Sequence, residues 1–255
     1  MKDMKKYQLP LLWTVSIGTG LLCAWLQRLI LTRGVDENGF FLRGNPLVAV
    51  QWILCAAGVA GLFLLTRGNP EQGKYREHFP KSVLLGTLHC AAGVLLFLSS
   101  LGDMLGRPTG IAALACWVGV AAAMGTVFCG VCRILDLRPS LIFNCLLCVC
   151  FILRLVNHYR GWSSDPQIQD YCFLLLADIC LMLAACSRAC MDAEMGKPRN
   201  LQFFLSCALL FCIIGFSAGE GLLFRVGGCL WAISNFSMIS WQPELSFGKK
   251  AGQHE

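Results

Sequence analysis

Ionisable side chains inside apolar runs are the residues whose types and spacing could do chemistry in this chain. His89, Arg154, Asp178 and Arg225 lie within such runs, and Arg28 lies near the end of another. A charge carried into a bilayer is costly, so it faces a bundle interior or a water-filled cavity and finds a partner there. Arg154 precedes Tyr159, and Asp178 follows Tyr171, both tyrosines suiting a membrane interface. At about 1.5 Å per helical residue, the arginine lies about 7–8 Å and the aspartate about 10–11 Å below one interface. Helices joined by a short loop are usually neighbours, so the spacing predicts an Arg154–Asp178 pair, with Arg28, Glu220 and Arg225 at the same end. His89 falls nearer the opposite face.

Three chemistries fit that constellation. The pair can be a fixed staple between helices, since pairing offsets the burial cost of both charges. It can line a polar cavity for an anion or small polar ligand, with Arg28, Arg154, Asp178, Glu220 and Arg225 as the candidate binding residues. A proton relay through Asp178 is the third.

Cysteine offers a second set. There are 16, most of them inside apolar runs, where they do not read as a secreted disulfide framework. Cysteine buries well as a small apolar residue and lets helices approach closely. The sharper alternative is Cys129-x-x-Cys132 with Cys145-x-x-Cys148, two pairs whose spacing could hold zinc or an iron–sulfur cluster. Each pair sits inside an apolar helix, so packing is the preferred reading, and no metal or cofactor is expected.

Other chemistries lack their residues. No apolar run carries a central lysine for a retinal Schiff base. His78, His89, His158 and His254 form no H-E-x-x-H, and no run holds two histidines placed for haem. The P-loop and the dinucleotide glycine fingerprint are absent. No basic tract is interleaved with aromatics, so nucleic acid is not an expected partner.

These residues are positioned by membrane helices. The 255 residues are 56% hydrophobic and 14% charged, against roughly 25% charged in soluble domains, and mean hydropathy is +0.62. A span needs roughly 20 apolar residues. Eight stretches qualify: 9–31, 46–66, 82–101, 108–132, 140–157, 171–188, 201–218 and 221–239. The expected fold is therefore an all-α, polytopic transmembrane bundle of about eight spans (seven or eight). It forms a single domain over 1–239, with a mobile tail at 240–255. Pro46, Pro108 and Pro139 are expected at helix starts, where the missing N–H costs nothing. Spans five and six are the shortest and carry internal charges. Spans seven and eight, separated by Gly219 and Glu220, form a tight hairpin or a re-entrant unit. Gly58, Gly61 and Gly86 are expected at helix contacts. The first run is too long for a cleaved signal and lacks a small-residue cleavage site, so it is read as a retained span.

Basic residues orient the bundle. With the N-terminus in the cytoplasm, 14 of the 21 Lys and Arg residues, including every lysine, fall on the cytoplasmic side. An even number of spans returns the C-terminus to that side, and both ends are basic. The Arg154–Asp178 constellation then lies in the outer half. Anionic lipid headgroups suit the net charge of +6, so membrane lipids and other membrane proteins are the expected partners.

The longest outer loop carries Asp36-Glu37-Asn38-Gly39, a hairpin signal between apolar residues. The loop after span five runs from Arg160 through Trp162 and Asp165-Pro166 to Tyr171, a turn followed by a capped helix start. Together these loops and the span layout resemble uncharacterised multi-pass membrane proteins of anaerobic Gram-positive bacteria. The resemblance implies a bacterial plasma membrane and no particular activity. The first functional expectation is a non-catalytic accessory, scaffolding or sensing protein. Its rivals are a small transporter or channel using the outer polar cluster, and a membrane-embedded lipid-processing enzyme.

Overall fold

The computed structural model describes residues 2–33, 45–67, 78–163, 168–219 and 221–236. Among them are eight α-helices and no strand: α1 (Lys2–Arg33), α2 (Pro46–Thr66), α3 (Val83–Leu105), α4 (Ile111–Ile134), α5 (Leu141–Trp162), α6 (Ile168–Asp192), α7 (Pro198–Gly215) and α8 (Leu222–Phe236). One 3-10 turn, Phe216–Ala218, joins the last two. Seven helices are long and apolar enough to cross a membrane, and α8 is the exception. The chain is thus a multi-pass integral membrane protein. In lipid every backbone polar group must be satisfied within the segment, which leaves the helix as the form such apolar runs adopt.

Helix ends follow local chemistry. Asn45 Oδ1 accepts the Leu47 N–H at 3.0 Å, and Pro46 opens α2 as expected. Ser82 Oγ accepts the Leu85 N–H at 3.4 Å to start α3. Pro108 and Pro139 do not open helices. The chain reverses after α3 through left-handed Arg107 (φ 52°) and Gly110 (φ 61°), so α4 starts only at Ile111. Ser140 is extended and precedes the first residue of α5.

Helices α5 and α6 are not the shortest: they run 22 and 25 residues. Their internal charges are paired, so the helices continue through them. The short ones are α7 with 18 residues and α8 with 15. At about 1.5 Å per residue α8 reaches about 22 Å, less than a bilayer core of about 30 Å.

Consecutive helices other than α2 and α3 pack against each other, and small residues set the closest approaches. A methyl group at Gly93 would lie 2.9 Å from the Val127 N and 3.0 Å from the Ala123 O, and one at Gly130 2.8 Å from the Gly86 O. Helices α3 and α4 therefore touch backbone to backbone. Gly58 packs against Thr19 of α1. The centre belongs to α7, which meets α1, α2, α6 and α8 and is buried from Leu205 to Gly215. Helix α8 lies between α7 and α3, with Gly228 against Leu181 and Cys212, and Gly227 against Ala92 and Leu96.

A layer of buried apolar side chains packs within the bundle. Leu96, Leu147, Phe151, Leu181 and Trp231 are buried in it, and Phe151 meets Trp231 edge-on with ring centroids 6.1 Å apart. Polar side chains gather on either side of this layer. The Asp36–Gly39 loop, the Asp165-Pro166 turn, Glu220 and the 240–255 tail lie outside the described residues.

Candidate functional site

One polar layer, at the end of the bundle where α3 turns into α4, is built by four helices. Asp178 of α6 is 1% exposed, and its two oxygens are taken by different partners. Arg225 Nη1 of α8 donates to Oδ1 at 2.6 Å. His158 Nδ1 of α5 lies 2.7 Å from Oδ2. An ionised carboxylate only accepts, so Nδ1 carries the proton of that bond, and Nε2 is the nitrogen left for other partners. The Trp162 ring stacks on the imidazole at 4.7 Å and on Tyr171 at 4.5 Å.

Arg154 does not pair with Asp178. It is one turn before His158 on α5, and its Nη1 lies 2.9 Å from Asp103 Oδ2 at the end of α3. Its Nη2 reaches Ser99 Oγ at 3.5 Å, and its guanidinium lies over the Phe224 ring, 4.0 Å from the centroid. The expected pair is thus replaced by two. Arg225 enters from α8 and takes the buried carboxylate, while the carboxylate at the mouth draws Arg154 towards α3. Asp103 is 47% exposed and Arg154 12%, so one pair is locked and the other is half open.

Arg28 does not join. It is exposed on α1 and forms no ion pair among the described residues. The polar contact at that end of α1 is Gln27, whose Oε1 accepts from Gln51 Nε2 of α2 at 2.9 Å. Glu220 lies outside the described residues.

Two cavities flank the half-open pair. One, of about 180 Å³, is lined by Asp103, Arg154 and His158 with Asn157, and by Pro108, Ala112 and Ala115 on the α4 side. The other, of about 230 Å³, shares the same three residues and adds Trp162, Phe224 and Arg225. Each far exceeds one water's share of about 30 Å³. Two buried guanidinium atoms, Arg154 Nε and Arg225 Nε, have no hydrogen-bond partner. A buried donor without an acceptor costs about 1–3 kcal/mol, so this layer holds unmet capacity for an acceptor.

Two of these residues escaped the sequence reading. His158 carries a signal, because it stands four residues after Arg154 and so shares its helix face. Asp103 lies beyond the last residue of the expected third span, where a charge reads as rim.

The polar layer at the opposite end is a separate network. His89 Nδ1 lies 2.8 Å from Ser234 Oγ, and Arg133 Nη1 donates to the Ser234 carbonyl at 2.6 Å near the end of α8. Arg188 and Asp192 pair at 3.4 Å on α6, and the Arg188 guanidinium lies 3.5 Å over Phe79. Arg138 pairs with Glu194 at 3.0 Å. This network joins α3, α4, α6 and α8 at that end of the bundle.

The cysteine constellation does not converge. Cys129 and Cys132 are buried while Cys145 is exposed, and all 16 cysteines are free. No group of three metal-ligating side chains occurs among the described residues. The thiols instead meet across helix interfaces, Cys23 with Cys55 and Cys212 with Cys229.

No protein family, curated protein or solved structure matches the chain.

Proposed function

We propose that this integral membrane protein is a non-catalytic binding protein of a bacterial plasma membrane that admits a small anion to its outer-face cavities, as a sensor or accessory subunit. The observation that carries the reading is the state of Arg154. Its guanidinium borders both cavities, keeps one N–H unpaired, and is held by a carboxylate that is half exposed. An incoming anion can take over Arg154 while Asp103, half exposed at the mouth, turns to water, an exchange open to it and closed to a fully buried carboxylate. Asp178 offers no such exchange, since both its oxygens are held.

A channel is the weaker reading, because the layer of Phe151, Trp231 and Leu181 closes the cavities inward. A carrier would use the same cavity in a second conformation that opens this layer.

The test is titration of the full chain in nanodiscs with acetate, phosphate and nitrate, followed by heat or thermal shift. Saturable binding of at least one anion is expected, lost in Arg154→Gln and retained in Arg28→Gln. An absence of saturable binding, or binding that survives Arg154→Gln, overturns the reading.

A further inference from the structure

We infer that the outer site takes a short-chain carboxylate together with one proton, the proton residing on His158. This rests on the anion-binding reading above and adds both the ligand class and a second ligand.

Charge balance is the first ground. The described ionisable groups facing the imidazole are Asp103 from α3, Arg154 from α5, Asp178 from α6 and Arg225 from α8. Helix α4 brings the Cys116 thiol and no charge, and α5 also brings Cys150. Two guanidinium cations and two carboxylates cancel when the imidazole is neutral. A monoanion entering that site would be buried without a net countercharge, which is costly at low dielectric. One proton on the imidazole restores neutrality.

Geometry is the second ground. Arg154 and His158 stand one helical turn apart on one face of α5, so their Cβ atoms lie about 5–6 Å apart. Both side chains line both cavities. An anion held by Arg154 therefore lies beside the ring as well. Nδ1 is engaged by Asp178, so the added proton goes to Nε2, where it donates to the anion. The Trp162 face stacked on the ring favours the cation that results.

The remaining wall selects the ligand. Pro108, Ala112 and Ala115 present small apolar surfaces opposite Arg154. A carboxylate can direct its oxygens to the guanidinium and a short hydrocarbon tail to the alanines. Phosphate and nitrate have nothing to place there.

The experiment titrates the full chain in nanodiscs with acetate, propionate and phosphate. It is repeated across pH and in two buffers of different ionisation enthalpy, which reports protons taken up per anion. Propionate should bind more tightly than phosphate and take up about one proton. Its affinity should then fall about tenfold per pH unit wherever the free site is neutral at His158. His158→Gln should abolish the proton uptake. Asp103→Asn leaves the Asp178 lock intact and supplies the missing positive charge, so its propionate binding should be tighter and flat with pH. Binding of propionate with no proton uptake and no pH dependence in the unaltered chain overturns the coupling and leaves the anion site standing. Preference for phosphate overturns the ligand class. Binding of no anion at any pH overturns this inference and the function it rests on.

Discussion

Asp178 and Arg225 hold each other at 2.6 Å across α6 and α8, with the carboxylate 1% and the guanidinium 2% exposed. This contact fastens the short eighth helix into the bundle. Removing one member of such a pair strands the other charge where water cannot reach it, at a cost of about 3–5 kcal/mol. Asp178→Asn should therefore lower the melting temperature of the detergent-solubilised protein well below that of Asp103→Asn, whose carboxylate is half exposed. The double change Asp178→Asn/Arg225→Gln should recover part of the loss, since it removes both charges together. Equal melting temperatures for the two single variants would show that the contact is no lock.

The sequence made the helices legible and the charged layer partly so. Apolar length alone marks seven of the eight described helices, because in lipid a segment of that kind has no other way to satisfy its backbone, and α8 falls short of a span. Depth was legible too: Arg154, Asp178 and Arg225 do share one end of the bundle. Partner choice was not. A hairpin argument pairs α5 with α6 and is blind to α8, which arrives between α7 and α3 through the Gly227 and Gly228 contacts. Those contacts bring Arg225 onto Asp178. Arg28 misled because it stands at the right depth on the wrong face of α1, a distinction of helical rotation that depth does not encode. The inner network of Arg133, Arg188 and Asp192 escaped for a related reason, since each residue sits near a helix end and reads singly as interfacial.

Gln27 and Gln51 make a buried amide pair between α1 and α2, and Gln51 Nε2 also donates to the Cys23 carbonyl at 3.2 Å. One hydrogen bond joins the two side chains, so replacing Gln27 removes an acceptor from the buried Gln51 amide, and an unmet polar group costs about 1–3 kcal/mol. Gln27→Leu alone should lower the melting temperature, and Gln27→Leu/Gln51→Leu should restore most of it. A double variant less stable than the single would show that the pair stabilises beyond mutual satisfaction.

Gly93 and Gly18 are both helical and differ in what surrounds them. At Gly93 an added methyl would meet the backbone of α4, which cannot move aside as a side chain does, whereas at Gly18 nothing lies within 4 Å. Gly93→Ala should separate α3 from α4 and lower the melting temperature. Gly18→Ala should leave it unchanged or raise it slightly, because alanine favours a helix by about 1 kcal/mol over glycine. A tolerated Gly93→Ala would contradict the backbone contact described here.

The distribution of lysine and arginine predicts the α3–α4 connection outside and the end of α6 inside. Arg107 marks the first, exposed and left-handed between those helices, and Glu194 marks the second, exposed just beyond α6. In a variant whose native cysteines are replaced, Arg107→Cys should react with a membrane-impermeant maleimide added to intact cells. Glu194→Cys should react only after the membrane is opened. The two positions lie at opposite ends of the bundle because α4, α5 and α6 cross it an odd number of times between them. Labelling of Glu194→Cys but not Arg107→Cys in intact cells would invert the molecule. The Arg154 cavities would then open to the cytoplasm, and the anion they take would be an intracellular one.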